Sequence, residues 1–362
     1  MNKLLSFLFS LFIFASCIEP YNFENTEVKP VLVVEGFISD ISYNESLLLP
    51  NDARFFGIKL KYTSIVTNKY DDVIEDARVR LISDDGFYWN YSPEYLSDGF
   101  QYLLKDADFH AEQGKMYKLQ VILSNGETYE SEFQAMEEVQ MIGDISFEET
   151  EITTTKYISD ELEIITIKGI DVFVSIPETE NPYNYRWDVL PSWVFVAPYA
   201  SDFSPVKTCW ITDKYYLRDF TLAKDSRGGY KQKIAFIETS ANERIGFEFT
   251  LFIRQQVLND ETFMFWNEIK DQTKVAGLFD PPPYNVRTDM KAKGHDADVY
   301  GFFSVTQESA KRWYFTRFDL SYSVNFDIYC PSPAPPFEAN YCVNCMALSN
   351  GIPVNTKPSW WR

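Results

Sequence analysis

Residues 117–133, with the sequence YKLQVILSNGETYESEF, decide the fold class of this chain. From Tyr117 to Leu123 every second residue is apolar, which is the pattern of a β-strand with one buried face. Asn125 and Gly126 then form a dipeptide that favours a two-residue hairpin turn. Residues 127–133 are therefore expected to return as an antiparallel strand.

Similar patterns lie closer to the N-terminus. Residues 31–40, VLVVEGFISD, are apolar and β-branched, and residues 77–81, ARVRL, alternate apolar with basic side chains. The turn sequence DDG at residues 84–86 separates the second run from another predicted strand. Because no helical period intervenes, residues 31–138 are predicted to form an Ig-like or transthyretin-like β-sandwich.

The whole chain is predicted to be mainly β, with residues 139–362 forming a larger β-rich domain that has one or two short helices. The acidic and threonine-rich segment Glu148–Thr155 is predicted to be an exposed loop. A helix is expected over residues 260–273 with Asp260 as its N-cap, and a second, shorter one is expected to begin at Thr306. The strands predicted in this domain include 162–168, 170–176, 233–238 and 247–254.

The charge of the chain restricts its partners. It has 362 residues, with 33 Lys and Arg against 53 Asp and Glu, and a formal net charge of −20. Nucleic acids and anionic lipid surfaces attract basic proteins, so the overall balance argues against both as partners. The two histidines, His110 and His295, argue against a multi-histidine metal site and against a histidine-dependent triad.

The sequence contains no recognisable catalytic or cofactor motif. It has no Gly-x-x-x-x-Gly-Lys-Ser/Thr loop, no Gly-x-Gly-x-x-Gly before a predicted helix and no Gly-x-Ser-x-Gly. Its 53 carboxylates form many chance pairs, so sequence spacing identifies no acid–base pair. We therefore predict no catalytic residue, no metal ligand and no cofactor.

The first seventeen residues, MNKLLSFLFSLFIFASC, have the pattern of an export signal. The apolar run at 4–15 is too short to span a bilayer and has the length of a signal-peptide core. The last four residues, FASC, are similar to a bacterial lipobox, with Phe where Leu is more usual. We expect a lipoprotein signal peptide over 1–16, lipidation of Cys17 and a tether over 17–30. The alternative is a plain signal peptide and an incidental cysteine.

Four further cysteines follow, namely Cys209, Cys330, Cys342 and Cys345. In an exported chain they predict two disulfides, for which three pairings are possible. Cys342 and Cys345 are also a C-x-x-C pair, so a zinc site or a redox pair is the alternative. We expect the disulfides to pin a proline-rich C-terminal tail that has little core of its own.

Aromatic residues alternate in the sequence NPYNYRWDV. Tyr183, Tyr185 and Trp187 are two positions apart in sequence, so they share one face of a predicted strand. Tyr and Trp are enriched at binding interfaces, and we therefore interpret this face as a candidate binding surface. The alternative interpretation is ordinary core and rim packing.

Several segments together resemble a known family. They are VVEGFISD after the lipobox, EDARVRLISDDG, YKLQVILSNGETYESE, NPYNYRWDV, YNVRTDM with VYGFFSV, and the terminal CVNCMALSNGIPVNTKPSWWR. Over essentially the whole mature chain they resemble the Bacteroidota lipoproteins grouped as domain-of-unknown-function family 4249. At the tail, Gly351-Ile352 replaces the Gly-Gly-type turn of the family, and Arg362 is an addition.

The resemblance implies an outer-membrane lipoprotein of a kind often encoded beside TonB-dependent receptors, with no known catalytic residue. We expect a chain anchored by lipid in the outer membrane, on the cell surface. There it would be a non-enzymatic accessory or cargo-binding subunit of a TonB-dependent barrel protein or a related outer-membrane complex. The alternative is a stand-alone glycan- or peptide-binding lipoprotein, and a carboxylate-based hydrolase is the least favoured hypothesis.

Overall fold

The computed structural model describes residues 30–41, 57–63, 72–96, 99–107, 109–138, 140–158, 161–213, 220–240, 243–273, 286–324, 330 and 340–362. Within these residues the chain is mainly β, as predicted, with twenty strands and one α-helix.

The strands are numbered in chain order. They are β1 (Leu32–Ser39), β2 (Gly57–Tyr62), β3 (Asp72–Val73), β4 (Arg78–Ser83), β5 (Tyr88–Asn90), β6 (Ser92–Leu96), β7 (Gly99–Leu103), β8 (Met116–Ile122), β9 (Thr128–Ser131), β10 (Gln134–Ala135), β11 (Ile145–Ile158), β12 (Glu161–Ile176), β13 (Tyr183–Val196), β14 (Thr208–Thr212), β15 (Phe220–Ser226), β16 (Tyr230–Glu238), β17 (Phe249–Leu258), β18 (Met290–Lys293), β19 (Val299–Phe315) and β20 (Ile352–Val354). The helix α1 is Asp260–Thr273.

Hydrogen bonding joins these strands into three sheets. The largest has the order β20-β14-β13-β17-β19-β1-β2-β7-β6, with β15 on β13 and β3 on β2. A six-stranded sheet has the order β18-β9-β8-β4-β5, with β10 on β8, and a three-stranded sheet has the order β11-β12-β16.

Two hydrophobic cores lie between these sheets. The first packs β1, β2 and β7 of the large sheet against the six-stranded sheet, and it includes Val34, Ile58, Leu81 and Leu119. This packing of two sheets is a β-sandwich. The second core lies where β12, β13 and β17 meet, around residues such as Trp187.

The predicted boundary after residue 138 stays a prediction, but the sheets cross it. β1 pairs in parallel with β19, so that Leu32 lies opposite Val299. β18 pairs with β9, and Met290 from β18 lies in the first core. A segment near the C-terminal end therefore supplies strands to the N-terminal sandwich.

The hairpin predicted at Asn125-Gly126 is confirmed. The backbone N–H of Leu123 donates to Glu127 O at 2.9 Å, and Gly126 has a φ of 89°. That backbone conformation is favourable for glycine and strained for most other residues. The turn places β8 and β9 side by side with Val121 opposite Tyr129.

The helix predicted near residues 260–273 is confirmed, but its N-cap is one residue earlier than predicted. Asn259 Oδ1 accepts the Thr262 backbone N–H at 2.8 Å, which is the bond of an N-cap side chain. Asp260 is already helical, and its Oδ1 accepts a hydrogen bond from Asn184 Nδ2 at 2.8 Å. The acid in the first turn favours the helix through its dipole.

The second helix predicted from Thr306 is wrong, because these residues belong to β19. Glu, Ala, Lys and Arg at 308–312 favour a helix locally, but β19 pairs with β1 over 299–306 and with β17 over 307–315. Residues 302–309 are buried, so strand pairing and burial outweigh local propensity here.

The segment Glu148–Thr155 is largely exposed, as predicted, but the loop assignment is wrong because the segment is the middle of β11. Its threonines are β-branched and suit a strand. Each residue of β11 lies opposite one of β12, from Ile145 beside Val174 to Ile158 beside Glu161. The two strands predicted at 162–168 and 170–176 are the single strand β12.

Candidate functional site

The hairpin of β11 and β12 extends beyond the sheet that holds its base. β16 pairs with β12 only from Gly169 to Ile176. Among the residues that the structure describes, 151–158 and 161–168 therefore form strand pairs only with each other. We call these residues the ribbon. Its eight residue pairs, at about 3.4 Å per residue, make it roughly 27 Å long.

Large apolar side chains lie exposed on the ribbon. Tyr157 lies opposite Leu162, so the two share a face, and Ile164 is two residues further along on that face. They are 74%, 59% and 76% exposed, respectively. On the other face Ile152 is 37% exposed and lies opposite Ile167.

The base of the ribbon is held firmly against the body. Ser321 donates from both its backbone N–H and its hydroxyl to the carboxylate of Glu149, each at 2.5 Å. These bonds lower the pKa of Glu149 below its ordinary value. Phe147 packs edge-on against Phe315 with the ring centres 5.3 Å apart. The ribbon is therefore an extension of an anchored hairpin.

The physical properties of the ribbon suit it to binding a protein. A two-stranded hairpin is only marginally stable in water by itself, and its edges present backbone groups that can pair with another strand. Exposed apolar side chains add a surface that gains free energy when it is covered. Strand addition with side-chain contacts is an established mode of protein recognition.

The sequence patterns do not identify the ribbon as a site. The isoleucine-rich run LEIITI at 162–167 predicted one of its strands correctly. The polar residues of the opposite strand show no buried face and therefore predict a loop. Nothing in the sequence pattern therefore indicates that the exposed apolar residues at 157, 162 and 164 are neighbours.

The aromatic face of β13 lies inside the protein. Tyr183, Tyr185 and Trp187 do share a face, and the last two rings stack with centres 5.3 Å apart. However, Tyr185 and Trp187 are each 1% exposed, and the Trp187 indole N–H donates to Gln255 Oε1 at 2.9 Å. These two rings are core residues, which corrects their interpretation as a surface; Tyr183 is half-buried.

The four cysteines form two disulfides, Cys209–Cys345 and Cys330–Cys342. The sulfurs of the C-x-x-C pair are thus bonded to different partners, which replaces the zinc and redox interpretations. Just beyond the first disulfide, β20 pairs with β14. The C-terminal tail is therefore attached to the large sheet, as expected.

Cys17, the expected lipidation site, lies outside the described residues. Within the part of the chain that the structure describes, no helix is long and apolar enough to cross a membrane.

One buried acid lies between the sandwich and the helix. Asp289 is 4% exposed, and its Oδ1 accepts the Phe303 backbone N–H at 3.0 Å. Its Oδ2 has no hydrogen-bond partner among the described residues. The pKa of Asp289 is raised to about 7, mainly by burial; the Phe303 N–H bond lowers it and the nearby carboxylates of Glu132 and Glu261 raise it. No sequence pattern distinguished this aspartate from the others.

A shallow cavity of about 300 Å³ lies beside α1 and is lined by Phe263, Met264, Glu268 and Arg287, among others. The Glu268 carboxylate accepts hydrogen bonds from Arg287 Nε at 2.9 Å and Nη2 at 2.6 Å. Glu268 and Arg287, two charged residues that line the cavity, therefore bind each other. In the described residues no three His, Cys, Asp or Glu side chains are placed to hold a metal ion.

The protein is mainly β, and one large sheet contributes to both the sandwich and the second core. The ribbon extends from this body. The chain belongs to the family described as domain of unknown function (DUF4249), whose model matches residues 18–312. No curated protein and no solved structure matches the chain.

Proposed function

We propose that this protein is a non-enzymatic accessory subunit, anchored by lipid at Cys17 in the outer membrane, that docks on a TonB-dependent receptor through the ribbon. The ribbon is the observation that carries the proposal. It is a long, paired element whose apolar side chains face solvent and belong to neither core. Membership of the family is consistent with this role and assigns no activity.

The ribbon has enough apolar surface to contribute to an interface. Fully burying a side chain such as Leu or Ile contributes about 1.5–3 kcal/mol. Tyr157, Leu162 and Ile164 are 59–76% exposed, so covering all three would contribute about 3–6 kcal/mol. Ordering and association costs reduce that sum, which places the ribbon as one anchor of a larger contact.

The lipid anchor compensates for the modest affinity of the ribbon. Acyl chains on Cys17 hold the body at the membrane, and the tether over 17–30 lets it reach a neighbouring barrel protein. Confinement to the same membrane raises the effective concentration of the two proteins, so a modest ribbon contact is sufficient for stable association.

Purification of the lipidated full chain from detergent-solubilised membranes tests the proposal. We expect a TonB-dependent barrel protein to be recovered with it. A variant with Tyr157→Thr, Leu162→Thr and Ile164→Thr places residues of high strand propensity in the ribbon and is expected to reduce recovery of the barrel at least tenfold.

A matched control replaces exposed aromatic residues elsewhere. Phe203 and Phe318 are 97% and 82% exposed, and Phe203→Thr with Phe318→Thr is expected to leave recovery unchanged. Recovery of the wild-type chain alone would contradict the receptor as partner. Recovery of the barrel with the ribbon variant at the wild-type level would contradict the ribbon as the docking element.

A further inference from the structure

The outward face of the six-stranded sheet is basic, although the chain as a whole is acidic. Its inward residues, such as Leu81 and Leu119, belong to the first core. The alternate residues point outward and include Arg78, Arg80, Lys118, Lys291 and Lys293. We call the outward side of β18, β9, β8, β4 and β5 the basic face.

The register of the strands places these side chains in rows. One row crosses all five strands in the order Asn90, Arg80, Gln120, Glu130, Lys291. At about 4.8 Å between strands the row is roughly 19 Å long. A parallel row runs from Arg78 through Ile122 and Thr128 to Lys293. The basic face thus extends across the width of the sheet.

Few acids offset the charge of this face. Glu130 is the outward carboxylate of the long row, and Glu132 forms an ion pair with Lys291 at the edge. Over the outward side chains of the five strands and Glu132, five cations face two carboxylates, and the exposed Asp76 and Asp84 flank the two ends of β4. The strands therefore carry a local positive excess on a chain whose net charge is −20. Such a reversal of sign on one sheet face favours an anionic partner.

Glu130 holds two of the cations in place. Its carboxylate accepts hydrogen bonds from Lys118 Nζ at 2.8 Å and from Gln120 Nε2 at 2.9 Å, and Lys293 Nζ lies 3.5 Å away. Burial alone would raise the pKa of Glu130, but these bonds and charges outweigh it and lower the pKa. Glu130 therefore stays ionised and competes with any anionic ligand for Lys118 and Lys293.

Arg78 and Arg80 are placed to meet an anion. Arg78 is the first residue of β4 and is exposed. The Nε–H of Arg80 donates to Asn90 Oδ1 at 3.2 Å, and its guanidinium lies 5.3 Å from the centre of the Tyr88 ring. These contacts orient the guanidinium fork of Arg80, which matches the geometry of a carboxylate or sulfate.

Aromatic rings lie at two sides of the basic face. Tyr88 is 59% exposed beside Arg80, and Phe133 is 42% exposed with Lys118 Nζ 5.1 Å from the ring centre. Sugar rings stack on exposed aromatic rings through their apolar C–H faces, while the amides of Asn90 and Gln120 suit hydroxyl groups.

We propose that the basic face binds an acidic polysaccharide, a chain of sugars that carry carboxylate or sulfate groups. The cations bind the acidic groups, the amides bind hydroxyls, and the rings pack against the sugars. An anionic bilayer would use the cations alone, which leaves the ordered rows of amides and the flanking rings without a role. This site is separate from the ribbon, so it stands or falls independently of the proposed function.

Titration calorimetry of the full chain with polygalacturonate tests the proposal, with neutral dextran as the uncharged comparison. We expect polygalacturonate to bind and dextran not to bind. Raising the salt concentration from about 50 mM to about 500 mM is expected to weaken binding strongly, because it shortens the screening length.

Three variants locate the site. Arg78→Gln with Arg80→Gln is expected to weaken binding at least tenfold, since two charge-assisted contacts are lost. Glu130→Gln is expected to tighten binding severalfold, because Lys118 and Lys293 no longer face a competing carboxylate; a merely structural Glu130 would not do this. The control Arg227→Gln with Lys231→Gln changes the charge equally at exposed positions elsewhere and is expected to have no effect.

Three results would overturn the proposal. The first is absence of binding to polygalacturonate while circular dichroism shows a folded protein. The second is equal weakening by the Arg78/Arg80 variant and by its control. The third is binding to phosphatidylglycerol vesicles with the same dependence on Arg78 and Arg80 while polygalacturonate does not bind, which would assign the face to a lipid surface.

Discussion

Replacing Asp289 with asparagine is expected to stabilise the protein at about pH 8 and to change its stability little near pH 4. The carboxyl is buried, and its pKa is raised from 3.8 to about 7. At pH values between these two pKa values, the Asp289 carboxyl is protonated in the folded protein and ionised in the unfolded chain. The contribution of Asp289 to stability therefore falls as the pH rises from about 4 to about 7, and it is constant above that range.

The size of the effect follows from the difference between the two pKa values. That difference is about three units, and each unit corresponds to 1.36 kcal/mol, so ionisation of Asp289 costs the folded state about 4 kcal/mol above pH 7. In Asp289→Asn the amide oxygen can still accept the Phe303 N–H, while the negative charge near Glu132 and Glu261 is absent.

Urea unfolding of both proteins at several pH values measures this difference. Asp84→Asn, at an exposed position in the turn between β4 and β5, controls for loss of one charge. Other carboxylates change the stability of both proteins at low pH, so the quantity to follow is the difference between wild type and variant. A difference that stays constant between about pH 4 and pH 8 would contradict a raised pKa for Asp289 in the folded protein.

Three further predictions concern the cores, the tail and the helix. Trp187→Ala removes a ring that is 1% exposed and is expected to lower the free energy of unfolding by about 3–5 kcal/mol in urea titrations. Cys209→Ser with Cys345→Ser opens a link between residues 136 apart and is expected to cost about 4–5 kcal/mol, against about 3 kcal/mol for the second disulfide, whose residues are 12 apart, by thermal unfolding. Asn259→Ala removes the N-cap of α1 and is expected to cost about 1 kcal/mol, measured as a lower Tm.

Local patterns were sufficient for the regular parts of the fold. The strand at 117–123 and its turn at Asn125-Gly126 were predicted because alternation and turn chemistry act within a few residues. The helix near 260–273 was predicted for the same reason. The two wrong assignments have different causes. Residues 148–155 pair with the next strand, but their exposed polar side chains show no alternation, whereas the segment from Thr306 has its strand partner β17 far away in the sequence.

The candidate site was harder to predict, because it depends on which faces are covered. Alternation showed that Tyr183, Tyr185 and Trp187 share a face but gave no sign that this face points into a core. Conversely, Tyr157, Leu162 and Ile164 are of residue types that are usually buried. They are exposed because the pairing of β16 with β12 ends at Gly169. Coverage of this kind is a property of tertiary packing.

The parallel pairing of β1 with β19 has a consequence for biosynthesis. Leu32 emerges from the ribosome long before Val299, its neighbour in the finished sheet. At about 5–20 residues per second, the edge of β1 waits roughly 15–50 s for its partner. During that time the nascent chain exposes an apolar β-strand prone to misassociation, so holding factors that shield unfinished chains are expected to matter for its yield.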